Sequence, residues 1–189
     1  MAGPGPKDPF AALGLPPSFA LASEVLDAKY HELARQTHPD RFAQAPAAQR
    51  VAALQTSMTY NEAYKTLRKP ASRAEALLAS VGIAIGEHER LDASMLTEVL
   101  SWREELADAT AAKALGAVTA LERGMKQKEA ALLAALATAM QAGEAAAATG
   151  DVAARDRHFA AAKQTLIVLR YVARYLEECD AAITALDEA

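Results

Sequence analysis

The sequence of 189 residues is poor in cysteine and in aromatic residues, and after residue 70 it has no proline. The one cysteine, Cys179, excludes an internal disulfide framework and any metal site that needs several cysteines. All eight prolines lie at or before Pro70, so no proline interrupts a helix in the rest of the chain. The net charge is −4 and basic residues are scattered, so we expect no nucleic-acid partner.

Long apolar runs are also missing. Met1–Phe10 has no apolar core of the kind that defines a secretory signal. The longest nearly apolar stretch, Ala130–Met140, is shorter than the roughly 20 residues that a helix needs to cross a bilayer. We therefore expect a cytoplasmic protein without a membrane partner.

Alanine is what the sequence has in abundance. Hydrophobic residues make up 52% of the chain but aromatic residues only 5%, and roughly a quarter of all residues are alanine, well above ordinary usage. Alanine is the strongest helix former because it loses no side-chain entropy in a helix. The composition predicts an all-α protein.

In the N-terminal part, we expect helices separated by proline and glycine. They follow a tail over residues 1–7 that we expect to be disordered. The second helix is expected to end before Pro39, and a short helix after Pro70 is expected to end at Leu78. Three helix starts are expected at polar caps, namely Asp8, Ser23 and Ser72. A long helix over about 47–67 is expected to bury one face, formed by Val51, Leu54, Met58, Asn61, Tyr64 and Leu67.

The C-terminal part predicts three longer helices that can pack as an antiparallel bundle. The first starts at its cap Asp92, and the other two cover about 113–147 and 151–187, with Gly150 between them. Gly143 is a second possible end for the middle helix. In the last helix, the expected core stripe leaves Tyr171 and Tyr175 on the opposite side, and it is formed by Leu166, Leu169, Ala173 and Leu176.

The tripeptide His38-Pro39-Asp40 lies in the loop between the helix that starts at Ser23 and the long helix over about 47–67. Because Pro39 fixes its own backbone, the loop is expected to present His38 and Asp40 in a stiff, extended segment that suits recognition of another protein. A histidine–proline pair at a helix end is also common as a plain turn. We expect no metal and no cofactor, because the other histidines lack a supporting ligand spacing: His31, His88 and His158.

The surroundings of this loop resemble the J domain of DnaJ-type co-chaperones. Tyr30 and Leu33 form Tyr-x-x-Leu before the tripeptide, and Asn61–Leu67 forms Asn-x-Ala-Tyr-x-x-Leu after it. The resemblance implies binding to a DnaK/HscA-type ATPase chaperone and stimulation of its ATP hydrolysis, so the chain itself is expected not to be an enzyme. The implied contact residues are His38, Pro39 and Asp40, with the cations Lys29, Arg35 and Arg41 around them.

Further motifs resemble the HscB-type co-chaperones of iron–sulfur cluster assembly in particular. Pro70–Leu78 is similar to that family's Pro-x-x-Arg-Ala-x-x-Leu-Leu, and Arg103–Leu106 is its Arg-Glu-Glu-Leu. The resemblance implies an IscU-type iron–sulfur scaffold as the second partner. It also implies three segments, which are a J domain over 8–78, a linker over 79–91 and a scaffold-binding helical bundle of the oligomerisation type over 92–189.

Helical geometry independently suggests a second surface on the helix after Asp92. Met95, Val99, Trp102 and Leu106 share one stripe, whereas Leu96 and Leu100 lie about 100–140° around the helix from Met95. These two leucines form an exposed partner site, or they pack under the J domain or another helix. In the HscB family the matching positions belong to the scaffold-binding surface, with differences at Thr97 and Ser101; the positions are Leu96, Leu100, Glu104, Asp108 and Tyr171.

Two other interpretations stay open at the level of sequence. One is a J-domain adaptor that directs a general DnaK-type chaperone to an unrelated client. The other is a structural helical protein in which His38-Pro39-Asp40 is a chance turn. Activity of the loop would exclude the second, and scaffold binding would exclude the first.

Overall fold

The computed structural model describes residues 8–86, Glu89 and 91–188, and within these residues the chain is helical without a β-strand. The prediction of an all-α fold is confirmed. One 3-10 helix, Pro39–Phe42, lies between the second and third α-helices. The α-helices of the described residues are α1 (Pro9–Leu13), α2 (Ser23–Gln36), α3 (Ala47–Arg68), α4 (Pro70–Ser80), α5 (Ala93–Ala111), α6 (Leu115–Thr149) and α7 (Val152–Asp187).

The described residues separate into two compact units, the first ending at Ala84 and the second beginning at Ile85. Helices α1–α4 lie in the first unit and α5–α7 in the second. The tail over residues 1–7, predicted to be disordered, lies outside the described residues.

The core of the first unit is formed by side chains from all four of its α-helices. Asp8 caps α1 as predicted, because its carboxylate accepts the backbone N–H of Phe10 at 2.9 Å. Gly14 ends α1 with a φ of +65°, a conformation that glycine adopts without strain. The large, fully buried side chains are Phe10, Leu13, Leu26, Leu67 and Leu78.

Two helix starts differ from the prediction. Ser23 is the first residue of α2, and the preceding Ala22 makes no side-chain cap. Helix α4 begins at Pro70 rather than after a cap at Ser72, and it continues to Ser80. Proline suits the first helical position because its φ is already helical and a backbone N–H would have no intrahelical partner there.

The buried face of α3 also differs from the prediction in the first half of the helix. Val51, Leu54 and Met58 are exposed by 54%, 57% and 59%, whereas the small Ala53 and Ala63 are buried. Helical spacing identifies stripes of residues that share a face. In an alanine-rich helix, two neighbouring stripes can both have the spacing of a buried face. The stripe of small alanine residues is the buried one because it lets other helices approach closely.

The second unit is a three-helix bundle in which α6 runs antiparallel to its two neighbours in the chain. Three contacts show that α5 and α7 run in the same direction. Residue numbers in α7 rise together with those in α5 and in the segment just before it. Arg170 donates to the Gly86 carbonyl at 2.8 Å, the rings of Trp102 and Tyr175 lie 6.0 Å apart, and Arg103 is 2.9 Å from Glu178.

The core of this bundle corrects the predicted orientation of α7. Tyr175 is 3% exposed and belongs to the core, whereas Ala173, predicted to be buried, is exposed. The rotation follows from Trp102, whose ring meets Tyr175 edge-on. Sequence spacing could not identify this pairing between two helices. The buried cluster consists of Leu106, Val118, Met125, Val172, Tyr175 and Cys179.

The helix ends of the second unit follow the predicted signals at Asp92, Gly150 and Asp151. The Asp92 carboxylate accepts the N–H of Met95 at 2.8 Å, and Gly150 ends α6 with a φ of +77°. Gly143, the second possible end, instead lies inside α6 and is buried. A Cβ at this position would lie 2.3 Å from the ring of Phe159, so glycine lets α6 and α7 approach closely.

By length and composition, α6 is long and apolar enough to cross a membrane, and among the described residues no other helix is. The stretch Ala130–Met140, which is too short to cross a bilayer, is only part of this helix. The buried side chains of α6 pack within the bundle, although only 17% of the most apolar window of this helix is buried. They are Val118, Met125, Leu136 and Met140.

Candidate functional site

The residues of the J-domain motif fasten α2 to α3 and thereby fix both ends of the loop between them. The Tyr30 and Tyr64 rings stack with centroids 4.2 Å apart, and the Tyr30 hydroxyl donates to Asn61 Oδ1 at 2.6 Å. The Tyr64 hydroxyl donates to Asp27 Oδ1 at 2.8 Å and accepts from Arg68 at 3.1 Å. The bond to the Asp27 carboxylate raises the pKa of Tyr64, so the hydroxyl keeps its proton as a donor.

The tripeptide loop displays its two polar side chains on a short rigid turn. The His38 carbonyl accepts the N–H of Arg41 at 3.0 Å, and the Asp40 N–H donates to His38 Nδ1 at 3.3 Å. The side chains of His38 and Asp40 are 60% and 90% exposed. Pro39 is the first residue of the 3-10 helix, so the segment after His38 is helical rather than extended as predicted. The loop therefore holds an imidazole and a carboxylate in water, where a partner can reach both.

A cationic groove of about 520 Å³ lies beside the loop. None of the described residues that line it is a carboxylate, so its character is basic. Lys29 is not among the lining residues, and its ammonium pairs with Glu32 at 3.0 Å. His31 lies in the lining, although it was not predicted to contact the chaperone. Three residues that were predicted to do so lie there with it. The lining consists of His31, Ala34, Arg35, His38 and Arg41.

Arg73 is a second residue whose role was not predicted, although it lies in the motif of Pro70–Leu78. It is 9% exposed. Its Nε donates to the Leu67 carbonyl at 2.6 Å, and one Nη donates to the Phe19 and Leu21 carbonyls at 3.0 Å each. Burial lowers the pKa of the guanidinium. Arg73 thus joins the end of α3 to the segment before α2, and only the folded chain brings these groups together.

The face of α5 that carries the two leucines is open to solvent. Leu96 and Leu100 are 48% and 52% exposed, whereas Val99 and Leu106 on the other face are 5% and 7% exposed. The leucines therefore contribute little to the core of the bundle. Two apolar side chains one helical turn apart form a small exposed apolar patch.

Acidic and hydroxyl side chains surround this apolar patch. Glu104 and Asp108 are exposed, and neither pairs with a cation in the part of the chain that the structure describes. Thr97 donates its hydroxyl to the Ala93 carbonyl at 3.0 Å. Ser101 donates to Glu105 at 3.1 Å. The charge of this face is negative, and the face also carries these two neutral hydroxyl groups.

Tyr171 lies on α7 and is half-buried. Tyr175, one turn further along α7, meets Trp102 of α5. Because the two helices run in the same direction, Tyr171 lies about one turn before this contact, level with Glu98 and Val99 of α5. The structure therefore places Tyr171 at the same height of the bundle as the exposed leucines.

Cys179 has the environment of a structural residue. It is fully buried, and burial raises the pKa of its thiol, which opposes formation of a reactive thiolate. Among the described residues, no group of three or more His, Cys, Asp or Glu side chains is placed to hold a metal ion.

Comparisons with known proteins identify the family. Residues 91–180 match the family model described as the HSCB C-terminal oligomerisation domain. The Co-chaperone protein HscB homolog of Paraburkholderia phytofirmans is 42% identical over 122 residues, which are 64% of this chain and 70% of the relative. The homolog of Burkholderia multivorans is 39% identical over 145 residues, which are 76% of this chain and 83% of the relative.

Solved structures agree with these relatives. The chaperone HscB from Vibrio cholerae matches with a TM-score of 0.72 and 28% identity, covering 94% of this chain and 98% of that one. The human co-chaperone protein HscB matches with a TM-score of 0.74 and 27% identity, covering 96% of this chain and 84% of that one. The predicted architecture, a J domain followed by a helical bundle, is confirmed, and the chain belongs to the HscB family of co-chaperones.

Proposed function

We propose that this chain is an adaptor with two binding ends in iron–sulfur cluster assembly. The loop at His38–Asp40, with Arg35, Arg41 and Lys29, binds a DnaK/HscA-type chaperone and stimulates its ATP hydrolysis. The exposed face of α5 binds an IscU-type scaffold and brings it to the chaperone. Membership in a co-chaperone family supports this role, and it favours a protein without catalytic activity of its own that works in the cytoplasm.

The observation that carries the scaffold end is the exposure of Leu96 and Leu100. Each is about half exposed on a helix whose opposite face is buried. Glu104 and Asp108 continue the same side of α5 and leave it negatively charged. Leucines of this kind add little to folding. They supply the apolar centre of a protein interface with a polar rim.

Truncation of both leucines, Leu96→Ala with Leu100→Ala, is expected to weaken scaffold binding. Loss of two apolar side chains from the centre of an interface typically costs about 2 kcal/mol or more, which corresponds to a loss of affinity of about 30-fold or more. Isothermal titration with the iron–sulfur scaffold from the same cell measures this change. Thermal unfolding is expected to stay close to that of the unchanged chain, because both side chains are already half in water.

Val152→Ala is the matched control, because Val152 is an apolar residue at the start of α7 with a similar exposure of 54%. It is expected to leave scaffold binding unchanged. Equal affinity of the double variant and the unchanged chain would contradict the scaffold end of the proposal. Such a result would favour the alternative, in which a J-domain adaptor serves an unrelated client of a general DnaK-type chaperone.

A further inference from the structure

A cleft of about 680 Å³ opens between α5 and α6 of the bundle. Part of its α6 wall is made of residues too small to fill the space between the helices, and a Cβ added at Gly124 would meet no atom within 4 Å. These small residues recur at helical spacing and share one face, namely Ala117, Ala120 and Gly124. The wall therefore leaves room for a side chain that this chain does not supply.

The inner surface of the cleft is apolar and aromatic. Tyr175 and Met125 are 3% and 6% exposed, so they form its floor, and Trp102 lies beside them with its ring 6.0 Å from that of Tyr175. Aromatic and thioether groups bind large apolar side chains well, because they offer broad contact area at little entropic cost. A cleft of this size with such a floor suits one large apolar side chain with its neighbours.

The mouth of the cleft carries negative charge that no free cation among the described residues balances. Lys128 lies 4.7 Å above the Trp102 ring and forms an ion pair with Glu98, so its charge is already compensated. Glu105 accepts only a neutral hydroxyl, at 3.1 Å, and Asp108 has no cation partner within the described ranges. A partner that carries Lys or Arg beside an apolar side chain complements this mouth.

The cleft lies on a different flank of α5 from the exposed leucines. Glu105 and Ala109 are about 140° and 180° around the helix from Leu100, and Asp108 is about 80° from it. Asp108 therefore belongs both to the proposed scaffold surface and to the lining of the cleft. A partner seated on Leu96 and Leu100 reaches the cleft by passing over Asp108.

We propose that the scaffold-binding surface extends around α5 into this cleft, which takes a large apolar side chain of the scaffold while an adjacent Lys or Arg faces Glu105 and Asp108. This inference rests on the proposed function, because the scaffold is the partner in both. The leucines then form one half of the interface and the cleft forms the other.

The decisive variant is Gly124→Leu, which fills the cleft from its wall. Leucine is a better helix former than glycine, and the space at Gly124 is open, so the bundle is expected to stay folded. Scaffold affinity in isothermal titration is expected to fall about 10-fold or more, the change typical of blocking an interface pocket. Gly116→Leu is the matched control, because its position also has open space but does not line the cleft. It is expected to bind as the unchanged chain does.

Glu105→Gln tests the charge of the mouth without changing its shape. Affinity is expected to fall several-fold at low salt, with a smaller difference at high salt, because salt screens the pairing of exposed charges. If the original chain binds the scaffold and Gly124→Leu binds it with the same affinity, the cleft is not part of the interface. The proposed function would then still stand. Absence of scaffold binding by the unchanged chain would overturn both.

Discussion

Asp40→Asn is expected to reduce stimulation of the chaperone's ATP hydrolysis to the rate that the chaperone has alone. The Asp40 side chain is 90% exposed, and its carboxylate lies 3.4 Å from His38 Nδ1. Asparagine keeps the shape of the side chain but removes the negative charge that a partner cation would meet. Because charge-assisted hydrogen bonds are roughly twice as strong as neutral ones, we expect the loss to be close to complete.

The fold is expected to survive this change. The bonds that define the turn are the backbone pair between His38 and Arg41 and the bond from the Asp40 N–H to His38 Nδ1, and neither uses the carboxylate. Single-turnover hydrolysis by the chaperone, with circular dichroism as a folding check, measures the effect. Asp187→Asn is the matched control, since Asp187 is an exposed aspartate at the end of α7. Stimulation by Asp40→Asn at the level of the unchanged chain would show that the loop is not the chaperone contact.

Arg73→Met is expected to cause the largest loss of stability among the changes considered. The guanidinium supplies three hydrogen bonds to the carbonyls of Leu67, Phe19 and Leu21, and it is almost fully buried. Methionine fills much of the volume but donates nothing. Hydrogen bonds from charged groups contribute about 1.5–3 kcal/mol each, and their losses overlap, so we expect about 3–5 kcal/mol in total.

The effect should be confined to the first unit, and the chain contains its own reporter for this. Trp102, the one tryptophan of the sequence, lies in the second unit. In urea unfolding, Arg73→Met should shift the transition seen by far-ultraviolet circular dichroism while tryptophan fluorescence changes at an unaltered urea concentration. Arg50→Met, at an exposed position of α3, is the control. A stability within about 0.5 kcal/mol of the unchanged chain would refute the structural role of Arg73.

Local signals predicted several helix ends well, although not the starts of α2 and α4. Asp8, Asp92 and Gly150 act through groups within a few residues of themselves, so their roles are readable along the chain. The exposure of Leu96 and Leu100 was left open, because the stripe of Val99 and Leu106 places the two leucines off the buried face but does not decide whether another element covers them.

Contacts between distant parts of the chain could not be predicted in this way. Tyr175 is buried because it meets Trp102, and Gly143 stays helical because it meets Phe159. The carbonyl partners of Arg73 are likewise up to 54 residues away in sequence. Alanine-rich helices make the difficulty worse, because alanine is compatible with both buried and exposed faces, as the exposed Val51 and Met58 of α3 illustrate.

In the proposed adaptor, the advantage of joining both binding ends in one chain is the local concentration that it creates. A scaffold held by α5 meets the chaperone bound at the loop as a neighbour rather than as a free molecule. A linkage of this kind corresponds to effective concentrations of about millimolar for short connections. Two separate chains that each retain one binding end do not raise the local concentration of scaffold at the chaperone.

The most direct test mixes two half-active variants. Asp40→Asn keeps the scaffold end, and the double variant Leu96→Ala, Leu100→Ala keeps the chaperone end. Hydrolysis by the chaperone is measured with scaffold present, first with the unchanged chain and then with an equimolar mixture of the variants. If this chain is an adaptor, only the unchanged chain gives the added stimulation that depends on scaffold, and the mixture gives no more than the double variant alone. Full stimulation by the mixture would contradict the adaptor model, because the two ends would then work without being joined.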